Sequence, residues 1–163
     1  MNIAENTGQQ DILEFSGESR WLSNFWPCAV TLDGMLFSSV EAAYVAAKTE
    51  CRETREKIQQ MNSPGAIKRY GRTFPLRSDW EAIKLDVMRH LLEQKFAPGT
   101  ELGQRLVDTG DCKIVEGNLW GDEFWGVCRG KGQNHLGKML MEIRYSLKLR
   151  IDDKNSRQAR PRL

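Results

Sequence analysis

Glu41, Tyr44 and Lys48 stand three and four residues apart, so on a helix they project to roughly one side and offer a carboxylate, a phenol and an amine. A carboxylate there can stabilise a developing cation or take a proton, and an amine of depressed pKa attacks carbonyl-like carbon. From spacing alone the structural account is the stronger one: Glu41 caps its own helix and Lys48 complements the negative end of the dipole. A second group lies in residues 117–134, which hold five of the fourteen glycines together with Trp120, Phe124 and Trp125. Long loops in compact domains are functional or disordered, and the aromatic residues argue against disorder. Asp122, among those rings, reads equally as an acid whose pKa aromatic burial raises or as a solvated loop aspartate. Gly130-Lys131-Gly132 precedes a predicted helix, whose first amides and dipole favour phosphate. It is not a Walker A loop, because Gly126 to Gly130 is one residue short and Gly132 stands where Ser or Thr is needed. Spacing does not choose between a phosphate site and a structural turn. Trp80, in the first turn of an amphipathic stretch, reads as a core aromatic.

These residues need elements to hold them. Ile12 to Phe15 has strand character, and Cys28 to Phe37 reads as a hairpin turning at Asp33-Gly34. Ser38-Ser39-Val40-Glu41 has the form of a capping box and opens the helix that carries Tyr44 and Lys48, whose alanines imply close packing. A polar helix follows from Arg52 to Met61, and Ser63-Pro64 supplies N-cap and first-turn residues for another that Gly71 stops. Ser78-Asp79-Trp80-Glu81 is a second capping box, opening an amphipathic helix that runs to Phe96 before Pro98-Gly99. A short helix around Leu102 to Val107, a strand at Lys113 to Glu116, and a last helix from about Asn134 complete the set. The expected class is α+β: a single domain, mainly helical, with a small antiparallel sheet. Its compact part runs from residue 12 to 151, between a flexible N-terminus (1–11) and a basic flexible tail (152–163).

Composition limits the function classes. With 163 residues, 40% hydrophobic and 28% charged, the chain can build one core, and no run reaches the roughly 18 apolar residues of a spanning helix. The first eleven residues lack a basic and an apolar region of the kind that directs export, so a cytoplasmic location is expected. Cys28, Cys51, Cys112 and Cys128 are too dispersed for a structural zinc site, and two histidines supply no histidine cluster. Lys and Arg number 24 against 22 Asp and Glu, leaving a net charge of only +2.

The order and spacing of several short motifs resemble the NADAR superfamily, in particular its YbiA-like N-glycosidases. They are Leu22-Ser23-Asn24-Phe25, Ser39-x-Glu41-x-x-Tyr44 with Ala47-Lys48, Ser63-Pro64-x-Ala66, Gly71-Arg72, Pro75-Leu76-Arg77-x-Asp79-Trp80, Lys95-Phe96, Asp122-x-x-Trp125-Gly126, Gly130-Lys131-Gly132-x-Asn134-x-Leu136-Gly137 and Leu140-Met141-x-Ile143-Arg144. The resemblance covers about residues 15 to 147. It implies cleavage of an N-glycosidic bond between a phosphorylated ribose and a base. In known members that base is the pyrimidine of an early riboflavin intermediate or an ADP-ribosylated guanine in nucleic acid.

The resemblance assigns roles to the matching residues. Glu41 and Asp122 are the expected carboxylates, one supporting the oxocarbenium-like carbon or activating water and the other acting as acid. Lys48 offers a Schiff base at C1′ of an opened ribose. Trp80 and Trp125 are expected to stack on the base beside Phe25 and Tyr44, with Asn24 reading its edge or the ribose hydroxyls. Arg72, Arg77 and Lys131, with the amides around Gly126, Gly130, Gly132 and Asn134, are the expected phosphate grip. The scheme calls for no metal or redox cofactor, no membrane, and a phosphorylated ribosyl or ADP-ribosyl substrate, free or carried by nucleic acid. One departure is that many relatives have Q-A-x-K where this chain has Val45-Ala46-Ala47-Lys48, which implies a smaller and less polar pocket wall. A catalytically silent ADP-ribose or NAD-binding module, and a nucleic-acid-binding protein driven by the basic tail, are the competing classes.

Overall fold

The structure is a computed structural model and describes residues 10–158. It divides into two compact units, one spanning Arg20–Ala97 and the other combining the chain before Arg20 with Pro98 onward. The expected α+β class, mainly helical with a small antiparallel sheet, is what the elements show. No described helix is long and apolar enough to cross a membrane.

A 3-10 turn (Gly17–Leu22) begins before the Arg20–Ala97 unit and leads into its β1 (Pro27–Leu32) and β2 (Met35–Ser39), paired antiparallel. Leu32 pairs with Met35 across a two-residue turn at Asp33 and Gly34, whose φ of 49° and 78° give the handedness that suits twisted strands. Helix α1 (Val40–Ala47) follows without a break, and all eight of its residues are buried. Its small side chains let α2 (Arg52–Gln60), α3 (Pro64–Tyr70) and α4 (Trp80–Lys95) pack around it. At Gly71 the approach is so close that a Cβ would meet Val45 Cγ1 at 2.8 Å. Gln94 of α4 grips the outer edge of β1, its amide accepting from Thr31 N (2.8 Å) and donating to Thr31 O (2.9 Å).

Both expected capping boxes fail in detail. The N-cap of α1 is Ser39, whose hydroxyl accepts from Ala42 N, so Glu41 sits at the second helical position and not where a reciprocal capping glutamate would stand. The N-cap of α4 is Asp79 and makes no side-chain cap bond, because its carboxylate is held by Arg77. The Ser63 cap with Pro64 behind it forms as expected.

The other unit contains α5 (Glu101–Asp108), β3 (Gly117–Asn118), β4 (Val127–Cys128) and α6 (His135–Gln158). The strands expected at 12–15 and 113–116 reduce to one parallel bridge, Ile12 to Ile114, and the ladder falls instead at β3 and β4, two residues each and parallel. Arg144 of α6 is buried and ties the segment after α5 to the helix, donating to Thr109 Oγ1 and Cys112 O at 2.9 Å each. Helix α6 does not end at Ile151: residues 152–157, expected in the tail, are its exposed last turns. Residues 1–9 and 159–163, which hold most of the expected N-terminal segment and the end of the tail, lie outside the described residues.

Candidate functional site

In the Arg20–Ala97 unit, α1 supplies a buried floor. Glu41 and Tyr44 are 8% and 7% exposed, and the Tyr44 ring packs 5.0 Å from that of Trp80. Lys48 Nζ lies 5.4 Å from the Tyr44 centroid. Lys48 is the C-cap of that helix. Arg55 Nε donates to the carbonyls of Ala46 (3.2 Å) and Thr49 (2.8 Å), and the Arg77 amide donates to Lys48 O at 2.8 Å. These bonds tie the end of α1 to α2 and to the segment before α4.

Lys48 is also part of a charge cluster. Burial pushes its pKa below that of an ordinary lysine; Glu41 opposes the shift, and the positive charges of Lys68 and Arg72 reinforce it. Three cations thus share one neighbourhood with one carboxylate. Lys68 lies on α3 and Arg72 just beyond the C-cap of that helix, and both act on Lys48. Lys68 is not among the residues singled out from the sequence, where nothing distinguishes it from other helix-borne lysines. Its Nζ is 5.8 Å from the ring of Phe25, which is 40% exposed.

Asn24 completes this site. Its carbonyl accepts from Glu41 N at 3.0 Å, fixing it against the start of α1, and its Nδ2 has only Met88 Sδ at 3.5 Å. Asn24 Oδ1 is buried without a hydrogen-bond partner. Leaving an amide oxygen so costs about 1–3 kcal/mol, a penalty that a ligand N–H or O–H would remove. Beneath, Lys95 donates to Ser23 O at 2.7 Å, and its burial pushes its pKa down to about 8.

Two expected members of this site are placed differently. Trp80 is 5% exposed, so its indole supports Tyr44 and has little face to offer a base. Arg77 is committed to carboxylates, with Nε on Asp79 Oδ1 (2.5 Å) and Nη2 on Asp79 Oδ2 (3.0 Å) and Glu50 (3.4 Å), which leaves it poorly suited to grip phosphate.

In the other unit the glycine-rich loop uses its polar groups on itself. Asp122 Oδ1 accepts from the amides of Phe124 (3.2 Å) and Trp125 (2.9 Å), an Asx turn, while Asn118 pairs with both the N–H and the carbonyl of Asp122. Asn134 Oδ1 accepts from Glu116 N and its Nδ2 donates to Ile114 O, both at 3.0 Å. A Cβ on Gly126 would lie 2.2 Å from Glu116 O, and one on Gly132 2.2 Å from Gly126 O, so these glycines answer to backbone packing. Arg129 and Gly130, at φ 49° and 80°, form the tight turn between Cys128 and Lys131. The first amides of α6 are taken up by the loop itself. The amides of Asn134, His135 and Leu136 already donate to the carbonyls of Gly126, Phe124 and Trp125. Trp125 stacks edgewise on Phe124 (5.0 Å), and Lys131 is exposed. Among the described residues no three His, Cys, Asp or Glu side chains gather as a metal site needs.

Comparison with known proteins places these features in a family. Residues 14–148 match the NADAR domain. N-glycosidase YbiA of Escherichia coli is 38% identical over 128 residues, covering 77% of this chain and 79% of that protein. A riboflavin biosynthesis protein of Vibrio vulnificus is 32% identical over 151 residues, covering 90% of this chain but only 41% of its own length, so the chain spans less than half of that relative. The NMR structure of E. coli YbiA superimposes with a TM-score of 0.75 at 35% identity, covering 86% of this chain and 88% of that one. The chain belongs to the NADAR domain family.

Proposed function

We propose that this protein is a hydrolase that breaks the C1′–N bond between a phosphorylated ribose and its base. The observation that carries this reading is Glu41, one buried carboxylate amid Lys48, Lys68 and Arg72. Three cations against one carboxylate suit an anionic ligand, and the carboxylate suits a carbon that becomes cationic. As C1′–N lengthens, positive charge spreads over C1′ and the ring oxygen, and Glu41 stabilises it and then takes a proton from the incoming water. Lys68 and Arg72 hold the phosphate. The base lies on Phe25, the exposed ring beside Lys68, and presents an N–H, or its ribose an O–H, to Asn24 Oδ1.

Lys48 gives a second path to the same products. Its lowered pKa raises the fraction of free amine. That amine attacks C1′ of the opened sugar, the C1′–N bond to the base breaks, and the departing nitrogen takes a proton. Water then hydrolyses the resulting imine and returns the amine. Asp122 acts in this reading as a positioning residue for Trp125.

Relatives named for riboflavin biosynthesis in V. vulnificus and maize favour a ribosylamino-pyrimidine phosphate as substrate. An ADP-ribosylated guanine in nucleic acid contains the same bond beside the same anionic ribose. The test is release of sugar from each substrate by wild type and Glu41→Gln. Cleavage by wild type alone supports the reading and selects the substrate. Binding of ADP-ribose by both proteins with no cleavage by either leaves a binding module.

A further inference from the structure

We infer that Met88 and Lys95 are positioning residues for Asn24: from one face of α4 they hold the turn that carries it and orient its amide so that the oxygen is the end left for a ligand. The inference rests on the reading of Asn24 as a ligand contact in the hydrolytic site. It adds two residues that act only through Asn24, being 1% and 3% exposed.

Met88 and Lys95 stand seven residues apart on α4, two helical turns, and so line up on one face. Lys95 Nζ donates to Ser23 O at 2.7 Å, an acceptor it shares with Trp26 N at 3.0 Å. Ser23 Oγ in turn accepts from Phe25 N at 3.1 Å, and Asn24 O accepts from Glu41 N. The backbone around Asn24 is thereby tied to α4 at Ser23 and to α1 at its own carbonyl. Burial of the Lys95 ammonium pushes its pKa down to about 8, the sign of a stability cost that an apolar side chain would not carry. The hold on Ser23 O is what the lysine supplies in return.

The sulfur of Met88 then settles which way the amide points. A thioether accepts weakly and donates nothing, so only the nitrogen end of the Asn24 amide can face it favourably. Asn24 Nδ2 lies 3.5 Å from Met88 Sδ, and Oδ1 is the end without a hydrogen-bond partner among the described residues. Turning the amide over would set oxygen against sulfur, two acceptors face to face. Asn24 is therefore held as an acceptor, and the ligand atom it selects is a donor, the N–H of a base or the O–H of a ribose.

The experiment measures kcat/KM for sugar release from a ribosylamino-pyrimidine phosphate and from ADP-ribosylated guanine. It compares wild type, Met88→Leu, Lys95→Met, Asn24→Ala and the two double variants with Asn24→Ala, with urea titrations to confirm that each folds. Leucine keeps the volume of Met88 and removes the acceptor. Met88→Leu and Lys95→Met should each lower kcat/KM by about 2- to 12-fold, the worth of one hydrogen bond. In the Asn24→Ala background neither should lower it further, whereas a merely structural role would subtract equally in both backgrounds. Independently of turnover, the free full chain should show a nuclear Overhauser effect between the side-chain amide protons of Asn24 and the methyl group of Met88. The inference is overturned if that effect is absent, if Met88→Leu or Lys95→Met is as active as wild type, or if either loss persists undiminished without Asn24. Cleavage of neither substrate by wild type would overturn the hydrolytic reading and this ligand contact with it, and an Overhauser effect present in that case separates that failure from a misplaced amide.

Discussion

The face of α1 and α3 and the glycine-rich loop contain similar chemistry and use it in opposite ways. On the helices, Lys48 lies among the charges of Glu41, Lys68 and Arg72, and Asn24 Oδ1 is buried without a hydrogen-bond partner among the described residues. In the loop, the side chains of Asp122, Asn118 and Asn134 bond backbone groups, and the first amides of α6 have carbonyl partners. Polar residues that are satisfied by their own chain build a shape, whereas those left in tension build a binding or catalytic site. In the proposed reading the helix residues that spacing presents as structural are the ones that meet a ligand, whereas the side chains of Asp122, Asn118 and Asn134 are engaged by backbone groups.

The strongest way to break this contrast is to neutralise one carboxylate in each region. Glu41→Gln should lower turnover by about 10²- to 10⁴-fold with the fold intact. Asp122→Asn should keep most activity, because the amide oxygen of Asn can still accept from Phe124 N and Trp125 N. Initial rates of sugar release from a ribosylamino-pyrimidine phosphate measure both. If Asp122→Asn falls as far as Glu41→Gln, the loop carboxylate takes part in the chemistry and the contrast fails.

A second test adds one methyl group to each region. In Gly126→Ala the new Cβ meets the carbonyl oxygen of Glu116 at 2.2 Å, so backbone must move, and unfolding should become easier by about 1–3 kcal/mol in a urea titration. In Gly71→Ala the obstacle is a Val45 methyl at 2.8 Å, which a rotamer change relieves. The expected stability loss is smaller, with KM rising for the phosphorylated substrate as α3 shifts Lys68 and Arg72. Equal stability losses would mean that the helix face is packed as rigidly as the loop.

Legibility followed how local the signals were. Asp33-Gly34, Ser63-Pro64 and Pro98-Gly99 each stop or start an element through their own backbone preferences, and each element formed where the sequence placed it. Ser38 and Ser39 both offer a capping hydroxyl, and only burial of the whole of α1 decides for Ser39. Strands β3 and β4 are too short to show a period. The last turns of α6 lack a continuous apolar stripe, so they read as tail. Within the site, Glu41, Tyr44 and Lys48 are legible because helix spacing alone groups them. Asp122 and Arg77 are not, since residue type cannot tell a side chain that will bind a ligand from one that will bind its neighbour two residues away.

A poised site should also reduce stability, and Lys95 measures this on the helix side. Its proton leaves the folded protein near pH 8 but stays on the unfolded chain until about pH 10.5. The unfolded state therefore binds more protons in that window, so stability is lowest below pH 8 and climbs above it by about 1.4 kcal/mol per pH unit at most. The Cys28 thiol, which burial pushes up, works in the opposite sense, because the unfolded thiol gives up its proton first, and so subtracts from the rise. Urea unfolding of wild type should show the rise, and Lys95→Met should lose it. A rise that persists in Lys95→Met would assign it to another group.

The finest distinction concerns the electrostatic partners of Lys48. If its amine forms an imine with the sugar, borohydride should trap a covalent adduct on wild type and none on Lys48→Arg, whose guanidinium stays protonated. Trapping should increase with pH, with a midpoint below the ordinary lysine value of 10.5, since burial lowers the Lys48 pKa. Lys68→Met and Arg72→Gln each remove a charge that lowers it further, so each should move the midpoint upward. Glu41→Gln removes the charge that raises it and should move the midpoint downward. Mass spectrometry of the trapped protein across pH reads all four. Opposite shifts from the two kinds of variant would show that the α1 and α3 charges act on one amine, and Lys131→Met in the loop should leave the midpoint where it was.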